Sequence, residues 1–196
     1  MFLKLWGYQS KLAMNTTDRI LGEASKVRPP TEEELTNPYR AYNYAKDVIG
    51  GRFPEGEAVI AKDPGMAYNY AYGVLKGRWP EAEPVIAKSP KWAYNYAKDV
   101  IGGRFPEAEK AIAKDPWSAQ FYARDVIKGR WPEAERRIAK SPQWAHYYAV
   151  NVIKGRWPEA EPAIAKSPDY STMYLKQFPQ AKLEWAMNGW LDWLDL

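Results

Sequence analysis

One histidine, no cysteine and five matched pairs of glutamates are the groups from which this 196-residue chain could build a reaction. Two neighbouring carboxylates can act as general acid and base when their surroundings separate their pKa values. The pairs are Glu55 and Glu57, Glu81 and Glu83, Glu107 and Glu109, Glu133 and Glu135, and Glu159 and Glu161, each following a proline. Five near-identical pairs offer no single distinctive site, so their repetition argues against catalysis. His146 is the sole imidazole, in a place where the other repeats have Tyr or Gln, and it reads as filling a structural flank. Without Cys the chain lacks a thiolate nucleophile, a disulfide framework and a Cys metal site. An enzyme is therefore not expected, nor a cofactor, nor a metal site. An arginine precedes each pair, at Arg52, Arg78, Arg104, Arg130 and Arg156. Its planar fork suits phosphate, but the matched number of Arg and Glu favours a repeated structural lock between them.

The glutamates recur because the whole chain does. From Pro38 the sequence repeats every 26 residues, at Pro38, Pro64, Pro90, Pro116 and Pro142, and a sixth repeat begins at Pro168 before departing from the pattern. With that proline as position 1, each repeat predicts two short helices. The first, of about 13 residues, opens on Asp-Pro or Ser-Pro, a capping side chain before a proline that needs no N–H. It is expected to stop at the glycine of position 14 (Gly51, Gly77, Gly103, Gly129, Gly155) in the left-handed conformation. The second, of about nine residues, opens at the proline of GRFPE or GRWPE, carries glutamates in its first turn and ends on Lys, each favourable to the helix dipole.

Helices this short need stacking to survive. Positions 4, 7, 8 and 11 (Ala, Tyr, Ala, Val) lie at i, i+3, i+4 and i+7, one helical face. They form the expected core, with Ala or Gly at 19, Ile at 23 and the aromatic of position 16. Tyr44, Tyr70, Tyr96, Tyr122 and Tyr148 should therefore be buried.

The units PKWAYNYAKDVIGGRFPEAEKAIAKD and PQWAHYYAVNVIKGRWPEAEPAIAKS resemble tetratricopeptide-like α-solenoid repeats, without that family's length or signature. More closely, residues 38–167 resemble tandem A-x-x-Y-A-x-x-V-I-x-G-R-W-P-E-A-E repeats of bacteriophage-encoded proteins of uncharacterised role. The resemblance implies an all-α fold, an α-solenoid of antiparallel helical hairpins with five full repeats and a cap at each end. It also implies a phage setting and a binding role. The expected organisation is an N-terminal cap at 1–37, repeats at 38–167 and a Trp-rich C-terminal cap at 168–196. Within the first cap, a helix near Thr17–Glu23 is expected, and PPTEEELTNP reads as a truncated second helix covering repeat one.

Function in repeat arrays is sought where the units differ. Positions 2, 6, 9 and 13 lie opposite the core face on a regular α-helix. They carry Asn43 and Lys46 in repeat one, Asn69, Tyr72 and Lys76 in repeat two, and Lys91, Asn95 and Lys98 in repeat three. Repeat four adds Trp117, Phe121, Arg124 and Lys128, and repeat five adds Tyr147 and Lys154. No Asp or Glu falls on this stripe. In superhelical arrays the first helices commonly line the concave face, so the resemblance implies a basic, aromatic groove.

Two occupants fit it. A protein partner, such as a host factor that a phage protein would inhibit, is the first. Nucleic acid, held by phosphate neutralisation and base stacking, is the second. At the C-terminus Trp185, Trp190 and Trp193 form either a cap or an anchor for a partner or a second copy of the chain. The net charge of +4 is an average: residues 38–167 hold 21 basic and 15 acidic residues, and residues 168–196 hold two and four. No apolar run approaches a membrane span, and the opening MFLKLWGYQSKLAM is broken too early by charge for a secretory signal. A soluble, cytoplasmic protein without a membrane partner is the expectation.

Overall fold

The computed structural model describes residues 27–181. These residues are all-α, with no strand among them, and form an α-solenoid of helical hairpins. The chain divides into two compact parts, Met1–Ile60 and Ala61–Leu196.

In the first part a short helix, Glu32–Thr36, packs against both helices of repeat one, so PPTEEELTNP does cover that hairpin. Its start is a full capping box: the Thr31 hydroxyl accepts from the Glu34 N–H, while the Glu34 carboxylate accepts from the Thr31 N–H. Arg28 clamps the same carboxylate, and its guanidinium lies 5.0 Å from the centre of the Tyr44 ring. The Arg28 and Thr31 hydrogen bonds bring the Glu34 carboxyl down to about 2. The Tyr44 hydroxyl donates to the Arg28 carbonyl.

The second part stacks hairpin on hairpin. The first helices of successive repeats pack side by side, and each also packs on the second helix of its own repeat. The core follows the predicted positions closely. Tyr70, Tyr96, Tyr122 and Tyr148 are completely buried, as are the alanines of positions 4, 8 and 19 and the isoleucines of position 23 in this part. Tyr44 and Phe53 in the first part, and Trp79, Phe105, Trp131 and Trp157 in the second, are buried too.

Three local features differ from the sequence expectation. First, in repeats one to five no first helix stays α-helical to its end. Pro64–Tyr70, Pro90–Tyr96, Pro116–Tyr122 and Pro142–Tyr148 are α-helical, and Ala71–Leu75, Ala97–Ile101, Ala123–Ile127 and Ala149–Ile153 continue as π-helix. Repeat one does the same, with Pro38–Asn43 followed by Tyr44–Ile49. The wider turn rotates every later side chain away from its α-helical bearing. Val48, Val74, Val100, Val126 and Val152 at position 11 are accordingly half-buried and not core.

Second, the left-handed residue is position 13 and not the glycine of position 14. Gly50 and Gly102 have φ of 67° and 69°, while Lys76, Lys128 and Lys154 have 53°, 59° and 58°. The N–H groups of positions 13 and 14 converge on one carbonyl, that of Ala45 in repeat one and Ala123 in repeat four. This is a Schellman-like closure, and the glycine of position 14 simply follows it.

Third, the second helices are short. Pro54–Ile60, Pro106–Ile112 and Pro132–Ile138 span seven residues, but Glu83–Ile86 and Glu161–Ile164 span four. Pro84 and Pro162 have no N–H for the carbonyl four residues back, so the opening turn tightens and Glu83 N–H is shared between the carbonyls of Trp79 and Pro80. At the opposite helix type, Asn37, Asp63 and Asp115 cap with their side chains, whereas Ser89, Ser141 and Ser167 do not.

Repeat six contributes the helix Pro168–Gln177, with Tyr174, Phe178 and Ala181 buried. The helix expected near Thr17–Glu23 and the anchor residues Trp185, Trp190 and Trp193 lie outside the described residues.

Candidate binding surfaces

The glutamates and arginines are built into the junctions between repeats. Arg104 Nε and Nη2 donate to the two oxygens of Glu109 at 2.7 and 2.6 Å. Glu109 Oε1 also accepts the hydroxyl of Tyr122 from the next repeat at 2.9 Å, and that hydroxyl accepts the Phe105 N–H at 2.8 Å. The same latch recurs with Arg78, Glu83, Tyr96 and Trp79, then Arg130, Glu135, Tyr148 and Trp131, and finally Arg156, Glu161, Tyr174 and Trp157. The expected Arg–Glu lock is real, and the tyrosine carries it across to the neighbouring repeat. Hydrogen bonds from Arg78, Arg104 and Arg130 hold the Glu83, Glu109 and Glu135 carboxyls below the usual range, against a burial that pulls the other way. Burial raises the latch tyrosines, Tyr96 and Tyr174 to about 12. The carboxylate at position 20 is thus bonded to an arginine and a tyrosine, while its partner at position 18 is exposed.

His146 is buried among the rings of Tyr147, Tyr170 and Tyr174, and burial lowers its pKa. Among the described residues its Nδ1 has no hydrogen-bond partner, nor do the side-chain oxygen and nitrogen of Gln120 at the same position one repeat earlier. In earlier repeats that position is tyrosine: Tyr68 donates to Asp99 at 2.9 Å and Tyr94 to Asp125 at 2.6 Å, each in the next repeat. Gln120 is too short for the equivalent reach to Asn151, whose side chain turns back to the Tyr147 carbonyl.

The predicted groove residues all lie at the surface or half-buried. Lys46, Tyr72, Lys76, Lys91, Lys98, Arg124, Lys128 and Lys154 are exposed, and Asn43, Asn69, Asn95, Trp117, Phe121 and Tyr147 are half-buried. Tyr72 is 56% exposed. The rings pack on one another more than they stand open. Trp117 and Phe121 are 5.0 Å apart between centroids, and Tyr94, Trp144 and Tyr170 link them through Tyr147 into a ladder across repeats three to six. Tyr72, Tyr68 and Trp92 form a second stack beneath Lys91.

Two of the central cations are already compensated. Arg124 donates to both oxygens of Asp125 at 2.6 and 2.9 Å, with its guanidinium 4.5 Å from the Phe121 ring centre. Lys98 pairs with Asp99 at 3.7 Å. Asp125 stays below its usual range because the Arg124 and Tyr94 bonds outweigh its burial. Sequence reasoning missed Asp99 and Asp125 because position 10 lies off the stripe of a regular α-helix. The adjacent pairs Lys-Asp and Arg-Asp were the signal. It also missed Tyr94, Trp144 and Tyr170, half the rings of the ladder, and Tyr68 and Trp92 of the second stack.

Among the described residues no helix is long and apolar enough to cross a membrane, and no three His, Asp or Glu side chains cluster as metal ligands. No family model, curated protein or solved structure matches this chain.

Proposed function

We propose that this chain is a non-enzymatic repeat scaffold whose first-helix face docks a protein partner. In the phage setting that its repeats resemble, that partner is a host factor and the place of action the host cytoplasm. The observation that carries the reading is the pairing of Lys98 and Arg124 with Asp99 and Asp125 beside the aromatic ladder. Interface hot spots are rich in Trp, Tyr and Arg and tolerate compensated charge. A track for phosphates instead needs cations whose charge is left over for the ligand. At Lys98 and Arg124 the mixed charge over half-buried rings therefore favours a protein, while Lys76, Lys91, Lys128 and Lys154, which form no ion pair among the described residues, are the cations a nucleic acid would use.

The test is affinity capture from nuclease-treated bacterial lysate with the wild-type chain and with Tyr72→Ala/Arg124→Ala/Lys128→Ala. The expected result is a stoichiometric protein retained by the wild type and depleted about tenfold by the variant. Recovery of nucleic acid in its place, before nuclease treatment, would overturn the reading.

A further inference from the structure

The second helices carry a different kind of charge. In repeats two to five they leave three grooves between neighbours, of about 580, 460 and 720 Å³ in chain order. The middle groove, between repeats three and four, is lined by Lys110, Lys114, Arg136 and Arg137. Lys88 and Lys140 extend the same basic character into the grooves on either side. All six side chains are exposed, and none forms an ion pair among the described residues. On the first-helix face, by comparison, Lys98 and Arg124 are neutralised, while Lys76, Lys91, Lys128 and Lys154 form no ion pair among the described residues. The repeats also differ here. Position 21 is Ala58, Pro84, Lys110, Arg136 and Pro162 in turn, and position 22 becomes Arg137 only in repeat four. Lys110, Arg136 and Arg137 sit in the last turns of their helices, where a cation answers the helix dipole, but the second helices of repeats one, two and five form without any cation there, so the dipole alone does not require them.

We infer that the grooves between the second helices of repeats two to five are a second docking surface, for an acidic polypeptide whose carboxylates are spaced by small residues. Charge complementarity selects an anionic occupant. The groove walls select the polypeptide. Their apolar parts are Pro84, Ala87, Ala111 and Ala113, and the one ring lining the middle groove, Trp131, is buried. Single-stranded nucleic acid would find no open ring to stack on. One exposed glutamate, Glu107 or Glu133, also stands in the wall of each of the first two grooves without an ion pair. An unbroken phosphate backbone would meet that carboxylate, whereas a spaced acidic chain can pass it with an uncharged residue.

The experiment is fluorescence anisotropy of the full chain with a fluorescein-labelled repeating Glu-Ala peptide and a labelled oligothymidylate of the same length. The peptide should bind more tightly, and its affinity should fall with added salt. Lys110→Glu/Arg136→Glu/Arg137→Glu should weaken it by at least about tenfold, and the Gln version of the same triple by less. Lys176→Glu, on the last helix outside the grooves, should leave it within about twofold. Helical circular dichroism checks that each variant folds. Tighter binding of the oligothymidylate, unchanged peptide affinity in both triple variants, or an equal loss in Lys176→Glu would each overturn the inference. Because the probes address other side chains, this result is independent of the first-helix docking reading.

Discussion

A single hydroxyl holds each junction of the second part together. Tyr122 accepts one buried N–H and donates to one half-buried carboxylate, while its ring packs 5.1 Å from Trp131. Tyr122→Phe keeps the ring and removes both hydrogen bonds, leaving the Phe105 N–H buried without a partner. Unfolding by urea at neutral pH should show a loss of about 1–3 kcal/mol. The same change at Tyr147, whose hydroxyl makes no hydrogen bond among the described residues, should stay within about 0.5 kcal/mol. The burial of Tyr122 was legible in the sequence, because its spacing to two alanines marks one helical face. Its bonds were not. They join residues 17 and 13 positions apart across a turn, and no local pattern encodes which way a phenol points once buried.

Among the elements, the first helix is where a regular α-helical reading breaks down. Its start, its core face and its approximate end follow from Pro, Ala, Tyr and Gly. Its π-helical last turn does not, because the choice between bonds to the fourth and fifth carbonyl back depends on how the next hairpin packs. That turn displaced both the valines and the left-handed residue from their expected places. It also leaves three lysines in a conformation that costs a residue with a Cβ about 1–2 kcal/mol. Glycine would relieve that strain and surrender part of the gain through its freer unfolded chain. Lys128→Gly should therefore stabilise the fold by about 0.5–1 kcal/mol. The converse change Gly102→Ala, at φ of 69°, should destabilise it. Thermal unfolding of the two variants, read as opposite shifts of a few degrees, checks the assignment of position 13 over position 14.

For the chain as a whole, the latches set a pH limit. The latch tyrosines have their pKa raised by burial, Tyr96 and Tyr174 to about 12 and Tyr122 and Tyr148 in the same direction. An unfolded tyrosine ionises near 10. Between those values the unfolded chain has lost protons that the folded chain keeps, so stability falls as pH rises. From neutral pH, stability should be flat up to about pH 10 and then drop through about pH 12. The part of the phenolate absorbance that Tyr122→Phe removes should rise together with the loss of helical circular dichroism, since ionising one latch loosens its neighbours. If that part rises early with the helices intact, Tyr122 is not buried as described. At this scale the sequence revealed the repeat and the excess of basic residues in residues 38–167, but not its distribution. Lys98 and Arg124 on the first helices are compensated, whereas the cations lining the second-helix grooves are unpaired, a difference set by which carboxylates come within reach after folding.

The latch has one more consequence. Each repeat from the second to the fifth offers the same glutamate, arginine and backbone N–H on one side, and each from the third to the sixth presents the same tyrosine on the other. The joining surfaces are thus interchangeable, and a block cut out or copied in register meets a matching edge. Recombination between the near-identical stretches can lengthen or shorten the array by 26 residues at a time without any new joint having to evolve, and side chains outside the joint are then free to diverge from block to block.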